Sequence, residues 1–345
     1  MNLSAVKELP VLDLSAVINR NISNTFSWNS IAEQSTYIPI ETTDEILLSS
    51  SVKVVHVSSD SYYVVDNTTN SVFRIDKSGK VISSFSRYGN GPGEYLNLAN
   101  VHVNQEKETI QVIDSRGIKH IVYDLTGRLI RETSLREKEL GSPVFISNDY
   151  IVFGVALGSK SPYKIYVTDN ELNIVQRLFP TDTTINNLHR VSNTLNRDMA
   201  LIDPDEDNET VFRITDKGAE PLFVLSAGSY RLAPNQSDAP ITRDGVVNPN
   251  ITFLAVGSFQ NYYLVRYIRG ERKVNLELWS KVDNRIVSRD SFMLTLPSGK
   301  SILLSPSYIS EDTIVSFIQS VDVAGEIEGV DEFDNPIIVH IKLKK

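Results

Sequence analysis

Three sets of side chains in this sequence have the types and spacing for chemistry. The first is the segment Phe85-Ser86-Arg87-Tyr88-Gly89-Asn90-Gly91-Pro92-Gly93-Glu94-Tyr95. Glycine-rich turns form nests, concave rows of backbone N–H groups that attract anions. Arg87, Tyr88, Glu94 and Tyr95 flank this turn and are the candidate ligand-binding residues. The structural alternative is that the glycines carry a loop across one face of a sheet. It is not a phosphate loop, because no Gly-Lys-Ser/Thr follows and no helix opens there. The second set is His56, His102 and His189, which recur at matching places in a repeat and are candidate metal ligands. Such sites need three or four ligands in defined geometry. Otherwise each imidazole is a hydrogen-bonded polar residue between sheets. The third is the acidic stretch 320–335, with Asp322, Glu326, Glu328, Asp331, Glu332 and Asp334. Its oxygens suit calcium, but it lacks EF-hand spacing, and a solvated loop explains it as well. No Gly-x-Ser-x-Gly elbow and no His-Glu-x-x-His pair occurs.

The composition narrows the partners. The net charge is −9 over 345 residues, and Lys342, Lys344 and Lys345 are the nearest thing to a basic run. A nucleic-acid binder carries a basic stripe, so nucleic acid is not an expected partner. There is no cysteine, which removes disulfides, thiolate ligands and cysteine nucleophiles. No run approaches the ~18 apolar residues of a membrane helix. The start Asn2-Leu3-Ser4 is polar and shows no signal segment. That leaves a cytoplasmic protein or one whose targeting segment lies upstream.

The elements that must position these residues are strands. From residue 50 onward, runs of four to eight residues rich in Val, Ile, Tyr and Phe alternate with Asp, Asn, Gly and Ser clusters. That is the strand-and-hairpin signature. The strands fall into quartets, of which the first reads 53–57, 62–66, 71–76 and 80–86, and the second 100–104, 109–114, 119–124 and 128–134. Turns Lys77-Ser78-Gly79, Leu125-Thr126-Gly127 and Asp216-Lys217-Gly218 mark the last hairpins of quartets one, two and four. In the first two, Asp precedes the Gly by three residues, and Gly supplies the positive φ the turn demands. Quartet starts fall near residues 53, 100, 144, 188, 251 and 307. A four-stranded repeat of about 40 to 50 residues is the mark of a propeller blade. The predicted fold is therefore all-β: a six-bladed β-propeller of four-stranded antiparallel blades. The sixth group lacks a last strand. The N-terminal run 36–41 fills it, with Pro39 tolerated at an edge, so the chain's start closes the ring. Residues 1–35 form a strap with some local helix, and 36–345 form the propeller. Stretches 226–249 and 320–335 are the long insertions.

The Gly-Asn-Gly-Pro-Gly-Glu-Tyr linker, after an Asp-x-x-Gly turn and a strand, resembles the inter-blade linker of NHL-repeat propellers. More closely, the chain resembles the six-bladed β-propeller family of exported Bacteroides-type lipoproteins. The opening Leu9–Leu14 and the run Ile38-Pro39-Ile40-Glu41-Thr42-Thr43 carry that likeness, although Ile40 stands where Leu is usual. The resemblance implies a six-bladed ring outside the cytoplasm, in the periplasm or on the outer membrane. It also implies a lipid anchor on a residue upstream of Asn2 as the only membrane attachment. The expected function is non-enzymatic recognition or scaffolding, with a glycan, peptide or envelope protein bound on one ring face and no cofactor. The alternative, by analogy with lactone-hydrolysing propellers, is a calcium-dependent hydrolase or lyase in the central channel. Glu94, Asn100 and Asn148 would then stand near the metal.

Overall fold

The computed structural model describes residues 8–98, 100–136, 138, 140–155, 161–181, 191, 193–203, 209–231, 250–270 and 273–345. These residues form a β-propeller of small, mainly antiparallel sheets. The first two quartets are as the repeat predicts: Val52–Val57, Ser61–Asp66, Ser71–Asp76 and Val81–Ser86, then Asn100–Asn104, Thr109–Asp114, Lys119–Asp124 and Leu129–Ser134. The third is Ser142–Ile146, Tyr150–Gly154, Tyr163–Asp169 and Ile174–Pro180. Middle strands are buried on both faces and outer strands on one. Ser61–Asp66 is buried throughout, whereas Val81–Ser86 alternates half-buried and exposed. This is why Tyr62-Tyr63-Val64-Val65 reads as a continuous apolar run, as expected of a strand covered on both sides.

The hairpin turns obey the chemistry that marks them in the sequence. Asp76 Oδ1 accepts from the backbone N of Ser78 at 2.8 Å and of Lys80 at 3.0 Å, and Gly79 has φ +95°. Asp124 repeats the arrangement with Thr126 and Arg128 at 2.9 and 3.0 Å, and Gly127 has φ +82°. Gly79 is also required by its surroundings, since a Cβ there would stand 1.9 Å from the carbonyl oxygen of Pro39.

The sheet count departs from expectation. The described residues form seven sheets, not six. The seventh is three-stranded: Phe26–Ser27 pairs parallel with Phe292–Thr295, which pairs antiparallel with Ser301–Leu303. The apolar run 285–295 is divided between two sheets. Ile286–Arg289 stays in the fifth sheet, and Asp290, at φ +53°, turns the chain into the seventh. The fifth sheet has five strands, because Asn193–Thr194 adds parallel to Ile251–Phe259, ahead of Tyr262–Arg269 and Lys273–Ser280. The fourth contains Ala200–Ile202, Thr210–Thr215 and Gly218–Ser226, and its last strand is Val11–Asp13, added in parallel. Residues 188–190 and 192, at the expected start of the fourth quartet, residues 204–208 and most of the 226–249 insertion lie outside the described residues.

The N-terminal segment thus contributes strands to three sheets. Ala32–Pro39 pairs antiparallel with Ile337–Leu343, with Tyr37 opposite Val339. The predicted strand began four residues later. This sixth sheet also holds Tyr308–Ile309 and Thr313–Ile318, and Ile38, Val315 and Ile338 pack with Val54, Tyr62 and Val64 of the first sheet. Leu12, Leu14 and Trp28 are fully buried, and the Trp28 indole N–H donates to Leu304 O at 3.0 Å. Burying side chains of this size contributes about 2 kcal/mol each, so the segment is part of the core. The stretch 320–335 is likewise no open loop. It begins with a helical turn, Ser320–Val323, and buries Val323 and Val330.

Candidate functional site

The glycine-rich linker spends its polar groups on itself. Tyr95 is fully buried. Its hydroxyl donates to Asn70 O at 2.9 Å and accepts from Arg87 N at 3.0 Å. The Glu94 carboxylate accepts from Gly91 N at 2.7 Å, and Arg87 Nε donates to Gly127 O at 3.3 Å. Lys119 Nζ, in an ion pair with Glu132 at 3.3 Å, donates to Gly91 O at 2.9 Å. The result is a clasp between the first and second sheets. Tyr88 projects, at 61 % exposure, and Arg87 beside it is exposed as well.

His56 and His102 do come together. Both line a cavity of about 60 Å³ with Asn100, Asn196 and Arg197. The His56 imidazole is pushed down to about 4 by burial, with His102 and Lys77 adding repulsion. His102 is lowered by burial and, more weakly, by Arg197, against the opposing pull of Asn148, whose Oδ1 lies 3.0 Å from its Nε2. His189 lies outside the described residues. Neutral imidazoles can ligate a metal, but the charges around these two are positive. Among the described residues no three His, Asp or Glu side chains gather as a metal-binding group. The calcium set does not assemble either: Glu94 is held by Gly91, Asn148 by His102, and only Asn100 faces the cavity. These residues do not fit a calcium ion.

A larger cavity opens beside this one. The first strands of successive sheets lie against one another around the middle of the molecule. A funnel of about 710 Å³ stands there, lined by residues of the first, third, fifth and sixth sheets. That is within the usual range of small-molecule sites, roughly 300–1,000 Å³. Among the described residues its charged lining is cationic: Lys53, Arg197 and Arg266. Arg197 sits on a segment clamped from both sides. Leu195 N donates to Val256 O at 2.7 Å, Asn196 exchanges two 2.7 Å bonds with Ser258, and Arg197 N donates to Ile309 O at 2.9 Å. Among the described residues its side chain has no such partner, and the buried Nε makes no hydrogen bond. Burial lowers its pKa, and burial with Arg197 nearby lowers that of Lys53. Arg266 is exposed within Tyr262–Arg269, between the buried Val265 and Tyr267. Among the described residues no acid stands beside these three cations, so the cavity carries a positive potential.

The sequence did not mark these three residues. Lys53 lies in the first sheet, Arg266 in the fifth and Arg197 on the segment between Asn193–Thr194 and Ala200–Ile202, far apart in the chain. One signal was legible: Arg266 interrupts an otherwise apolar run, Tyr262-Tyr263-Leu264-Val265-Arg266-Tyr267-Ile268.

Residues 9–342 match DUF4934, a domain of unknown function. Among solved structures, the chain is similar to a "putative exported protein" from Bacteroides fragilis. The identity is 15 % and the TM-score 0.64, covering 97 % of this chain and 99 % of that one. It is also similar to a member of the DUF4221 family from Bacteroides vulgatus, at 10 % identity and TM-score 0.54, covering 91 % and 97 %. At these identities the likeness is one of fold. No curated protein matches the chain.

Proposed function

The chain belongs to the DUF4934 family, and from that premise we propose that it is a non-enzymatic recognition propeller of the bacterial cell envelope. It binds a glycan, a peptide or a segment of a partner protein at the mouth of the central funnel. The observation that carries this reading is the cavity of about 710 Å³ where first strands from several sheets meet. Propeller sheets leave their inner edges around an axis, and a cavity there collects side chains from many loops without disturbing any sheet. The likeness to a putative exported Bacteroides protein supports a place outside the cytoplasm, and a lipid anchor upstream of this sequence completes the reading.

Arrays of envelope glycans and of peptides, probed with the purified chain and with Asn193→Trp, test the proposal. Asn193 lines the funnel and is exposed, so the indole narrows the mouth without breaking the core. The native chain is expected to bind one related group of ligands, and the variant to lose that binding at least tenfold. A native chain that binds nothing, or a variant that binds equally well, overturns it.

A further inference from the structure

We propose that the funnel takes an amphiphilic oxyanion: a small carboxylate whose charged head is held by Arg266, Arg197 and Lys53, and whose hydrocarbon arm enters the adjoining apolar cavity. This rests on the reading of the funnel as a binding site and goes beyond the glycans and peptides proposed at its mouth, to a small ligand within it. A second cavity, of about 530 Å³, lies between the fifth and seventh sheets and shares Leu195, Arg266, Pro306 and Ile309 with the funnel. Leu264, Leu276, Phe292 and Leu304 line it. Its two other charged residues, Lys273 and Asp290, are of opposite sign, and the Asp290 carboxylate accepts from Leu276 N at 2.7 Å. Arg266 borders both spaces. One side of it faces a cationic funnel with no Asp or Glu among the described lining residues; the other faces leucine and phenylalanine.

Charge and shape together select the ligand. A guanidinium with no hydrogen-bond or ion-pair partner is preorganised for a carboxylate, because its planar fork matches both oxygens. Neither Lys53, Arg197 nor Arg266 has a side-chain partner among the described residues, so a bound anion displaces no existing pair. An apolar cavity beside that fork rewards a hydrocarbon arm and not a second charge.

Isothermal titration of the full chain at neutral pH with acetate, hexanoate, octanoate and octanol tests the assignment. Two more buried methylenes make octanoate bind roughly 15-fold tighter than hexanoate. Octanol, which lacks the charge, binds about 10- to 100-fold more weakly than octanoate. Arg266→Gln brings octanoate down by a similar factor. Because Arg266 is exposed and unpartnered, the variant keeps the native melting temperature. Val274→Asp, at a half-exposed wall of the apolar cavity, weakens octanoate and leaves acetate unchanged. Octanol binding as well as octanoate overturns the oxyanion head, and acetate binding as well as octanoate overturns the apolar arm. No binding by any of the four overturns the whole assignment. If Asn193→Trp still abolishes array binding of neutral ligands, the funnel stands as the site and only the ligand class falls.

Discussion

Acidification between pH 6.5 and 4.5 should destabilise this protein through its buried histidines. His56, His120 and His340 are each held down to about 4, mainly by burial. Positive neighbours reinforce it: His102 and Lys77 at His56, Arg131 at His120, and Lys77 at His340, where Asp312 pulls the other way. The His120 Nε2 lies 3.0 Å from Gln111 Oε1, and its Nδ1 is buried without a partner. His340 Nδ1 lies 2.7 Å from the Tyr62 hydroxyl. In the unfolded chain each imidazole regains the ordinary value of 6.5. Below that pH the unfolded state binds more protons than the folded one, so stability falls as pH drops from 6.5 toward 4. Above 6.5 all are neutral in both states and the effect vanishes. At pH 4.5 the loss is roughly 2 kcal/mol for each of His56 and His120 and less for the more exposed His340. A total of about 5 kcal/mol is comparable with the whole stability of many domains. With an unfolding entropy near 2.1 cal/mol/K per residue, it lowers the melting temperature by roughly 5–8 °C. Asp124, lowered to about 2 mainly by its bond from Thr126, loses its contribution only below the ordinary 3.8 and stays outside this window. Melting curves at half-unit pH steps, for the native chain and His120→Gln, provide the assay. The variant should show a visibly shallower slope. A melting temperature constant within 2 °C from pH 6.5 to 4.5, or an undiminished slope in the variant, refutes the reasoning.

Two further substitutions test how the sheets are joined. Gly79→Ala forces an L side chain to φ +95° and against the Pro39 carbonyl. It should cost at least about 2 kcal/mol, read as a lowered urea midpoint, whereas Gly299→Ala, with open space around it, should cost less. Arg289→Met removes the cation that meets the fully buried Glu277 at 2.7 Å and the donor to Val17 O and Arg20 O at 3.1 and 3.0 Å. A broken buried pair costs about 3–5 kcal/mol. Pairing Arg289→Met with Glu277→Leu should recover part of that loss in a double-mutant cycle, and strict additivity would contradict the account.

The quartets were legible because their turns are chemical. Asp76 and Asp124 cap hairpins whose Gly79 and Gly127 need positive φ, and those residues cannot be exchanged freely. The third sheet makes the same turn with Leu172 at φ +66°, so only spacing and alternation disclosed it. The seventh sheet was hidden for a different reason. Its central strand Phe292–Thr295 continues a fifth-sheet run without a glycine, and its partner Phe26–Ser27 is two residues long and lies near the other end of the chain. No local pattern connects them. Val11–Asp13 was missed similarly, as a parallel addition that takes its register from Leu225 and its burial from Leu12.

The candidate sites diverge for a reason that concerns free energy and not sequence pattern. The linker Arg87–Tyr95 looks functional because it concentrates glycine, charge and aromatic rings. Its buried donors and acceptors nonetheless find partners within the clasp, as the Glu94 carboxylate does at Gly91 N and the Tyr95 hydroxyl at Arg87 and Asn70. Satisfied groups of this kind stabilise a joint and have little left for a ligand. The funnel is the reverse. The buried Arg197 Nε has no acceptor, and Lys53 is held near enough to Arg197 for repulsion to help lower its pKa. Leaving such groups unpaired costs about 1–3 kcal/mol each, and a fold built only for stability would place an acid or an apolar side chain beside them. The segment 193–197 instead fixes the unpaired guanidinium in position with bonds to the fifth and sixth sheets. A rigid mount for an unsatisfied cation is what a binding site for an anion requires.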